Sequence, residues 1–396
     1  MPDRIFLDHN ATTRPLPEVR EAMDRCWRDA YANPGSRHAE GRAARRALET
    51  ARESIAAILG ARPEEVIFTS GGTEAANLAI LGLAEFVSTS EPTPPAFAVT
   101  AGEHPATGET CRKLEQRGWQ RHVLPVDAGG MLSTTDLGDV PWSQTRLVSV
   151  ILAHNETGVI QDLAPLAARC AAREIPLHVD AVQAVGKIPV DFHQMGATAL
   201  SLGAHKFYGP RGIGALLLRK GARLAPQLFG GHQEAARRPG TEPVALVVGM
   251  ATALELWHAH QSTRTNRVRA LRDRLESRLL SECAPAVVHG ARSPRLPNTI
   301  NIAFPGLDGE ALLVALDLAG IACSLGSTCA SGSAEPAPAL LAMGVPRDVA
   351  LSSVRFSLGF ENTLDEIDEA SARIARVVGD LRRLRGSNPP SCSAES

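Results

Sequence analysis

Seven short β-rich runs lie between residues 65 and 218: Glu65–Thr69, Ala96–Thr100, Arg121–Pro125, Arg146–Ala153, Leu177–Val179, Ala199–Leu202 and Gly214–Leu218. Helical patterns alternate with them over Thr73–Phe86, Ala106–Arg117 and Leu163–Arg173, and another precedes them at Ala39–Leu59. Such alternation predicts an α/β layer arrangement with a mainly parallel sheet. Most of the helical stretches stop at or near Gly60, Gly118 or a short polar link, as helix ends commonly do. A helical region rich in Ala, Leu and Arg then runs from Pro243 to Glu282 and leads toward a second unit. There Asn298–Phe304, the helix Gly309–Leu318, Ser353–Leu358 and the helix Leu364–Leu384 read as a smaller α+β domain. With 396 residues, the length alone allows two or three domains. The expected division places 16–256 in the large domain, 1–15 with 257–385 in the small one, and 386–396 in a frayed tail.

Charge narrows the partners. Lys plus Arg number 41 and Asp plus Glu 43, a formal net charge of −2. That balance gives no electrostatic case for nucleic acid or a membrane surface. No apolar run reaches the roughly 18 residues of a membrane span, and the Met1-Pro2-Asp3-Arg4 start lacks a signal pattern. Seven scattered cysteines without a Cys-x-x-Cys speak against a disulfide framework and against a zinc site, so no metal is expected. A reducing cytoplasm is the expected compartment.

Two residues suggest chemistry. Asp180 ends the apolar run Leu177-His178-Val179, and Lys206 lies between His205 and Phe207-Tyr208-Gly209-Pro210. A lysine able to form a Schiff base and an acid able to hold a pyridinium nitrogen are the minimal kit for pyridoxal phosphate (PLP) chemistry. Read structurally, the acid is a helix N-cap and the lysine a solvated charge. Between a strand and a helix, Thr69-Ser70-Gly71-Gly72-Thr73-Glu74 suits an anion, because glycines expose backbone N–H groups at a helix N-terminus. Thr73 could add a hydroxyl, or simply cap its own helix. Gly209-Pro210-Arg211-Gly212-Ile213-Gly214 does not fit a dinucleotide loop, since a strand follows where a helix should.

More polar residues sit just past strand ends. Asn155 and Gln183 could donate to a ring oxygen, with a turn role as the alternative for Asn155. His104 at the top of the sheet could stack on a flat cofactor and move protons near neutral pH, or be a plain loop residue. Cys329 has small residues on both sides, in Gly326-Ser327-Thr328-Cys329-Ala330-Ser331-Gly332, which predicts a mobile segment and an accessible thiol. Cys26, Cys111 and Cys170 fall in helical patterns that suit packing, and Cys323 fits either fate. Arg355, on a strand-like run, needs an anion if buried: a substrate carboxylate or a fixed Asp or Glu.

Taken in order, these motifs resemble those of the NifS/IscS-type cysteine desulfurases, in the class V aminotransferase branch of fold-type I PLP enzymes. The resemblance runs from about Phe6 to Leu384. It is carried by 7–13 (Leu-Asp-His-Asn-Ala-Thr-Thr), Asn33-Pro34-Gly35-Ser36-Arg37-His38, Gly72-Thr73-Glu74-Ala75-Ala76-Asn77 and Glu103-His104. It continues through Asn155-Glu156-Thr157-Gly158, His178-Val179-Asp180-Ala181-Val182-Gln183, His205-Lys206, Arg238-Pro239-Gly240-Thr241, the Cys329 loop and Ser353-Val354-Arg355-Phe356-Ser357.

The resemblance implies a seven-stranded, helix-flanked large domain and a small domain carrying the Cys329 loop. It implies that Lys206 holds PLP, Asp180 its ring nitrogen and His104 its face. Asn155 and Gln183 would approach the phenolic oxygen. Gly72, Thr73 and His205 would hold the phosphate, with Thr241 reaching it from the neighbouring subunit of a homodimer. Arg355 would take the carboxylate of L-cysteine, with Asn33 and Asn155 also on the substrate side, and Cys329 would accept sulfur as a persulfide. L-alanine would leave, and an iron–sulfur scaffold or another acceptor would receive the sulfur. Lys206, His104 and Cys329 are the expected catalytic set. A selenocysteine lyase, a class V aminotransferase and a scaffold subunit without turnover are the alternatives. Gly203, where the family usually has a phosphate-binding serine, His154, His232 and Pro239 depart from the family pattern.

Overall fold

The computed structural model describes residues 3–86, 93–133, 137, 139–325 and 335–387. A seven-stranded sheet runs in the order Val66–Thr69, Gly214–Leu218, Ala199–Gly203, Leu177–Asp180, Thr145–Ile151, Ala96–Thr100, Gln120–Leu124. Only Gly214–Leu218 opposes its neighbours; the other pairings are parallel. Apart from the mostly exposed edge strand Gln120–Leu124, the strands read as apolar runs because both faces are covered. Phe68, Ala98, Val148, Val179, Leu200 and Leu217 face one hydrophobic cluster, shared with the helices Pro17–Asp29, Ala39–Ile58 and Val244–Ala259. Their neighbours Ile67, Phe97, Val99, Leu147, Ala199 and Leu216 face the other, under the helices Gly72–Ala84 and Pro105–Gln116.

A separate cluster gathers Leu275, Ile300, Ile302, Phe356 and Ile367 around an antiparallel sheet. That sheet is ordered Ser324–Leu325, Ser353–Ser357, Thr299–Ala303, Val287–Val288, backed by the helices Gln261–Glu282, Gly309–Leu318 and Leu364–Ser387. Ile5 and Leu7 belong to this cluster too, and Ile5–Phe6 pairs in parallel with Ile321–Ala322. The helical region expected from Pro243 to Glu282 is two helices, Val244–Ala259 and Gln261–Glu282. His260, at φ −119° and ψ 16°, breaks between them.

Candidate active site

In an open α/β sheet, ligands bind beyond the carboxyl ends of the strands. Here five strand ends meet. Thr69 leads to Gly72 and Thr73, Thr100 to His104, Ile151 to Asn155, Asp180 to Gln183, and Gly203 to His205 and Lys206. All of these loop residues and Asp180 line one cavity of about 260 Å³.

Asp180 is buried, and its Oδ1 accepts from the Val182 N–H at 2.9 Å. It forms no ion pair with a described residue, and burial raises its pKa to about 6. An acid in that state is stabilised by a cationic N–H donor. Lys206, in a single 3-10 turn at Ala204–Lys206, donates from Nζ to the carbonyls of Asn10 at 2.7 Å and Ala11 at 2.8 Å. Burial, then the Arg355 charge, lowers its pKa to about 8. That brings a nucleophilic neutral amine within reach of neutral pH.

The helix Gly72–Ala84 begins without a side-chain cap, so Thr73 does not cap its own helix. The first N–H groups of this helix have no side-chain cap, and its first two residues, Gly72 and Thr73, line the cavity. A Cβ on Gly72 would come within 2.5 Å of the Val182 side chain, and one on Gly214 within 2.7 Å of the Gly71 backbone. Glycine at both places lets this loop lie against the sheet. Glu74 braces it, accepting from the Ser70 N–H at 2.7 Å and from Arg238 at 2.8 Å. His205 packs its Nδ1 3.2 Å from the Thr12 hydroxyl, and burial, then Lys206, lowers its pKa to about 4.

His104 caps the next helix: its Nδ1 accepts from the Ala106 N–H at 3.1 Å, which assigns the ring proton to Nε2. Burial, then Lys206, lowers its pKa, favouring the neutral ring. The preceding Glu103 anchors the loop by accepting from Thr100 Oγ1 at 2.5 Å and the Ile151 N–H at 2.6 Å. His154 ties the same loop to its own strand end, lying 2.9 Å from the Gly102 carbonyl and accepting from the Glu156 N–H at 3.1 Å. The amides already have partners: Asn155 donates to Glu156 Oε1 at 2.6 Å, and Gln183 Nε2 to the Asn10 carbonyl at 2.9 Å.

A second cavity, about 270 Å³, adjoins the first through His104, Asn155, Gln183 and Lys206. Arg355 lines it, buried between two acids: it donates to Asp8 at 2.8 Å and to Glu156 at 3.0 Å. The fixed carboxylate partners are thus present, while its buried Nε has no protein partner. Leu325 and Ala337 border the same cavity. Cys329 lies between them in sequence, outside the described residues. Cys323 is half-buried, and burial raises its thiol pKa to about 12. Burial also raises Cys111 and Cys170 to about 12, which suits packing rather than reactivity.

Asn33 is expected on the substrate side, and Thr241 at the phosphate of a neighbouring subunit rather than its own. Thr241 and Asn33 are exposed and line neither cavity. Conversely, Asn10, Asp8, Glu156 and Lys187 enter the active-site network without having been singled out. Polar residues in short loops carry no periodic signal, and their partners are close only in three dimensions.

Residues 5–370 match the Aminotransferase class-V family. Cysteine desulfurase IscS of Dictyoglomus turgidum is 40% identical over 97% of this chain and 97% of its own. A cysteine desulfurase of Enterobacter agglomerans is 43% identical over 96% of this chain and 94% of its own. Among solved structures, a NifS-like protein superposes with a TM-score of 0.87 at 35% identity, covering 96% of this chain and 100% of that one. SspA in complex with cysteine gives a TM-score of 0.78 at 30% identity, over 90% and 99%. A lysine and an acid converging on a glycine cradle, in a chain with these relatives along nearly its whole length, make it a member of the class-V aminotransferase family.

Proposed function

We infer that this protein is a PLP-dependent cysteine desulfurase, a transferase that converts L-cysteine to L-alanine and takes the sulfur onto Cys329. The observation that carries the reading is the joint placement of Asp180 and Lys206 in a cavity with a glycine cradle at Gly72. These features fit PLP: the helix start at Gly72 and Thr73 and the nearby His205 suit its phosphate, Asp180 its ring nitrogen, His104 its face and Lys206 its aldehyde. Bound there, PLP supplies an electron sink for bonds at the substrate α-carbon.

The chain's own groups supply the rest. The Arg355 Nε, still unpartnered, is a donor for the substrate carboxylate, and Asp8 and Glu156 hold the guanidinium still. Lys206 Nζ, near its own pKa at neutral pH, takes up and returns the substrate's α-proton. His104 Nε2–H offers a second proton in the same cavity. The Cys329 thiolate attacks the substrate sulfur. The substrate carbon–sulfur bond breaks, an S–S bond forms on the enzyme, and the carbon skeleton takes a proton to leave as alanine. The persulfide then goes to an acceptor, an iron–sulfur scaffold or a thiolation partner, in the cytoplasm. No helix among the described residues is long and apolar enough to cross a membrane.

We also propose a homodimer. Thr241 is exposed, and Phe229, 89% exposed, and Leu228 precede it on a surface that a second copy would cover. From there Thr241 would reach the partner's phosphate.

The deciding experiment loads the protein with PLP, adds L-cysteine and measures alanine and protein persulfide. Equal amounts of both in the first turnover support the reading. Alanine without persulfide, or PLP binding with neither product, refutes it.

A further inference from the structure

Lys187 is a buried amine that the chemistry above does not use. It is 9% exposed and lies four residues after Gln183. Its Nζ donates to Asn10 Oδ1 at 2.8 Å and to the Gln183 side-chain oxygen. An unpaired ammonium is costly to bury, and no described carboxylate pairs with it. The charged or titratable groups around it are Lys206, Arg355, His9 and His205, with Arg264 and the Tyr208 phenol on the small cavity beside it. All but Tyr208 are basic, and burial raises that phenol's pKa, so Lys187 is not held there by an ion pair.

Its neighbours show what it does. The Asn10 carbonyl can only accept, so the Gln183 atom 2.9 Å from it is the amide nitrogen. The Gln183 oxygen then faces Lys187, which donates to it. One N–H of the Gln183 amide serves Asn10, the other has no partner among the described residues, and Gln183 lines the cavity. The same Asn10 carbonyl accepts from Lys206 Nζ at 2.7 Å, filling its second lone pair. Asn10 Oδ1 receives Lys187 and Asn298 together, at 2.8 and 3.0 Å.

We propose that Lys187 is a positioning residue of the active site: by clamping the Gln183 oxygen and Asn10, it aims the remaining Gln183 N–H at the phenolic oxygen of bound PLP. This rests on the PLP reading above. A donor on that oxygen stabilises its negative charge and lets the adjacent nitrogen lose its proton at lower pH. Without the clamp, Gln183 is held only by its bond to the Asn10 carbonyl, its second N–H is less well aimed, and the cofactor keeps its proton to higher pH.

The test is a visible-absorbance titration of the PLP-loaded protein. Lys187→Met keeps the length and removes the donors. Its midpoint should move upward by about half to one pH unit, the equivalent of one neutral hydrogen bond. Lys187→Met should add no further shift in a Gln183→Leu background. An unchanged midpoint in Lys187→Met overturns the inference. So does an undiminished shift in the double variant, which would mean that Lys187 acts by charge through space. Should Lys187→Met fail to fold, Gln183→Leu alone decides: it must shift upward by the same amount, and an unmoved midpoint overturns the inference. A parent protein that binds no PLP refutes the functional reading and this inference with it. A parent with a normal titration and an unresponsive Lys187→Met refutes only the inference.

Discussion

Replacing Gly203 with serine should tighten the hold on PLP. Gly203 ends the Ala199–Gly203 strand at φ −138° and ψ 125°, a conformation serine adopts without strain. A Cβ there would lie 3.2 Å from the Gly72 backbone nitrogen and 3.7 Å from the His205 ring. The side chain therefore projects onto the loop proposed to hold the phosphate, and a small shift of that loop admits it. One added hydrogen bond is worth about 0.5–1.5 kcal/mol, or about two- to twelvefold in affinity. Equilibrium dialysis of PLP against the parent, Gly203→Ser and Gly203→Ala measures it. The alanine variant carries the Cβ without the hydroxyl and so reports the steric cost alone. If Gly203→Ser binds PLP no more tightly than Gly203→Ala, the reasoning fails.

The lowered Lys206 pKa sets a pH dependence. Only the neutral amine attacks the PLP aldehyde, so the reconstitution rate of the apoprotein should fall about tenfold per pH unit below about 8 and level off above it. Stopped-flow absorbance checks this. Cys329→Ser should keep PLP yet yield almost no alanine or persulfide, while Cys323→Ser keeps most activity, as product assays on both variants would show. Arg355→Ala strands two acids at a buried site and should lower stability by about 3–5 kcal/mol in denaturant melts. Mixing inactive Lys206→Ala with a disabled Thr241→Ala should restore turnover through hybrid dimers, each with one intact site. A fully active monomer in sedimentation would remove that expectation.

Much of this architecture could be read from the chain because the large sheet is buried on both faces. Runs such as Val66–Thr69, Ala96–Thr100, Leu177–Asp180 and Ala199–Gly203 read as covered strands, and their ends lead to Gly72, His104, Asp180 and Lys206. The helical pattern around Cys26 is the helix Pro17–Asp29, whose buried residues Val19, Ala22, Met23 and Cys26 fall at helical spacing. Ile5–Phe6 and Ile321–Ala322 are too short for any period to show. Arg355 could not be resolved in advance, because Asp8 and Glu156 lie far from it in sequence. For the same reason Lys187 looked like any lysine.

The pairing of Ile5–Phe6 with Ile321–Ala322 has a consequence for birth of the enzyme on the ribosome. The first strand to emerge waits for one of the last, and Arg4 meets Asp317 across 313 positions. The larger sheet can close once Gly214–Leu218 has been made, with Lys206 already part of it. Yet the carbonyls that hold Lys206 Nζ and one of the two acids that grip Arg355 belong to the waiting N-terminal segment. Contacts so distant in sequence form late. Lys206 is therefore left unplaced from its own synthesis until Ile321–Ala322 emerges, and Arg355 is made later still.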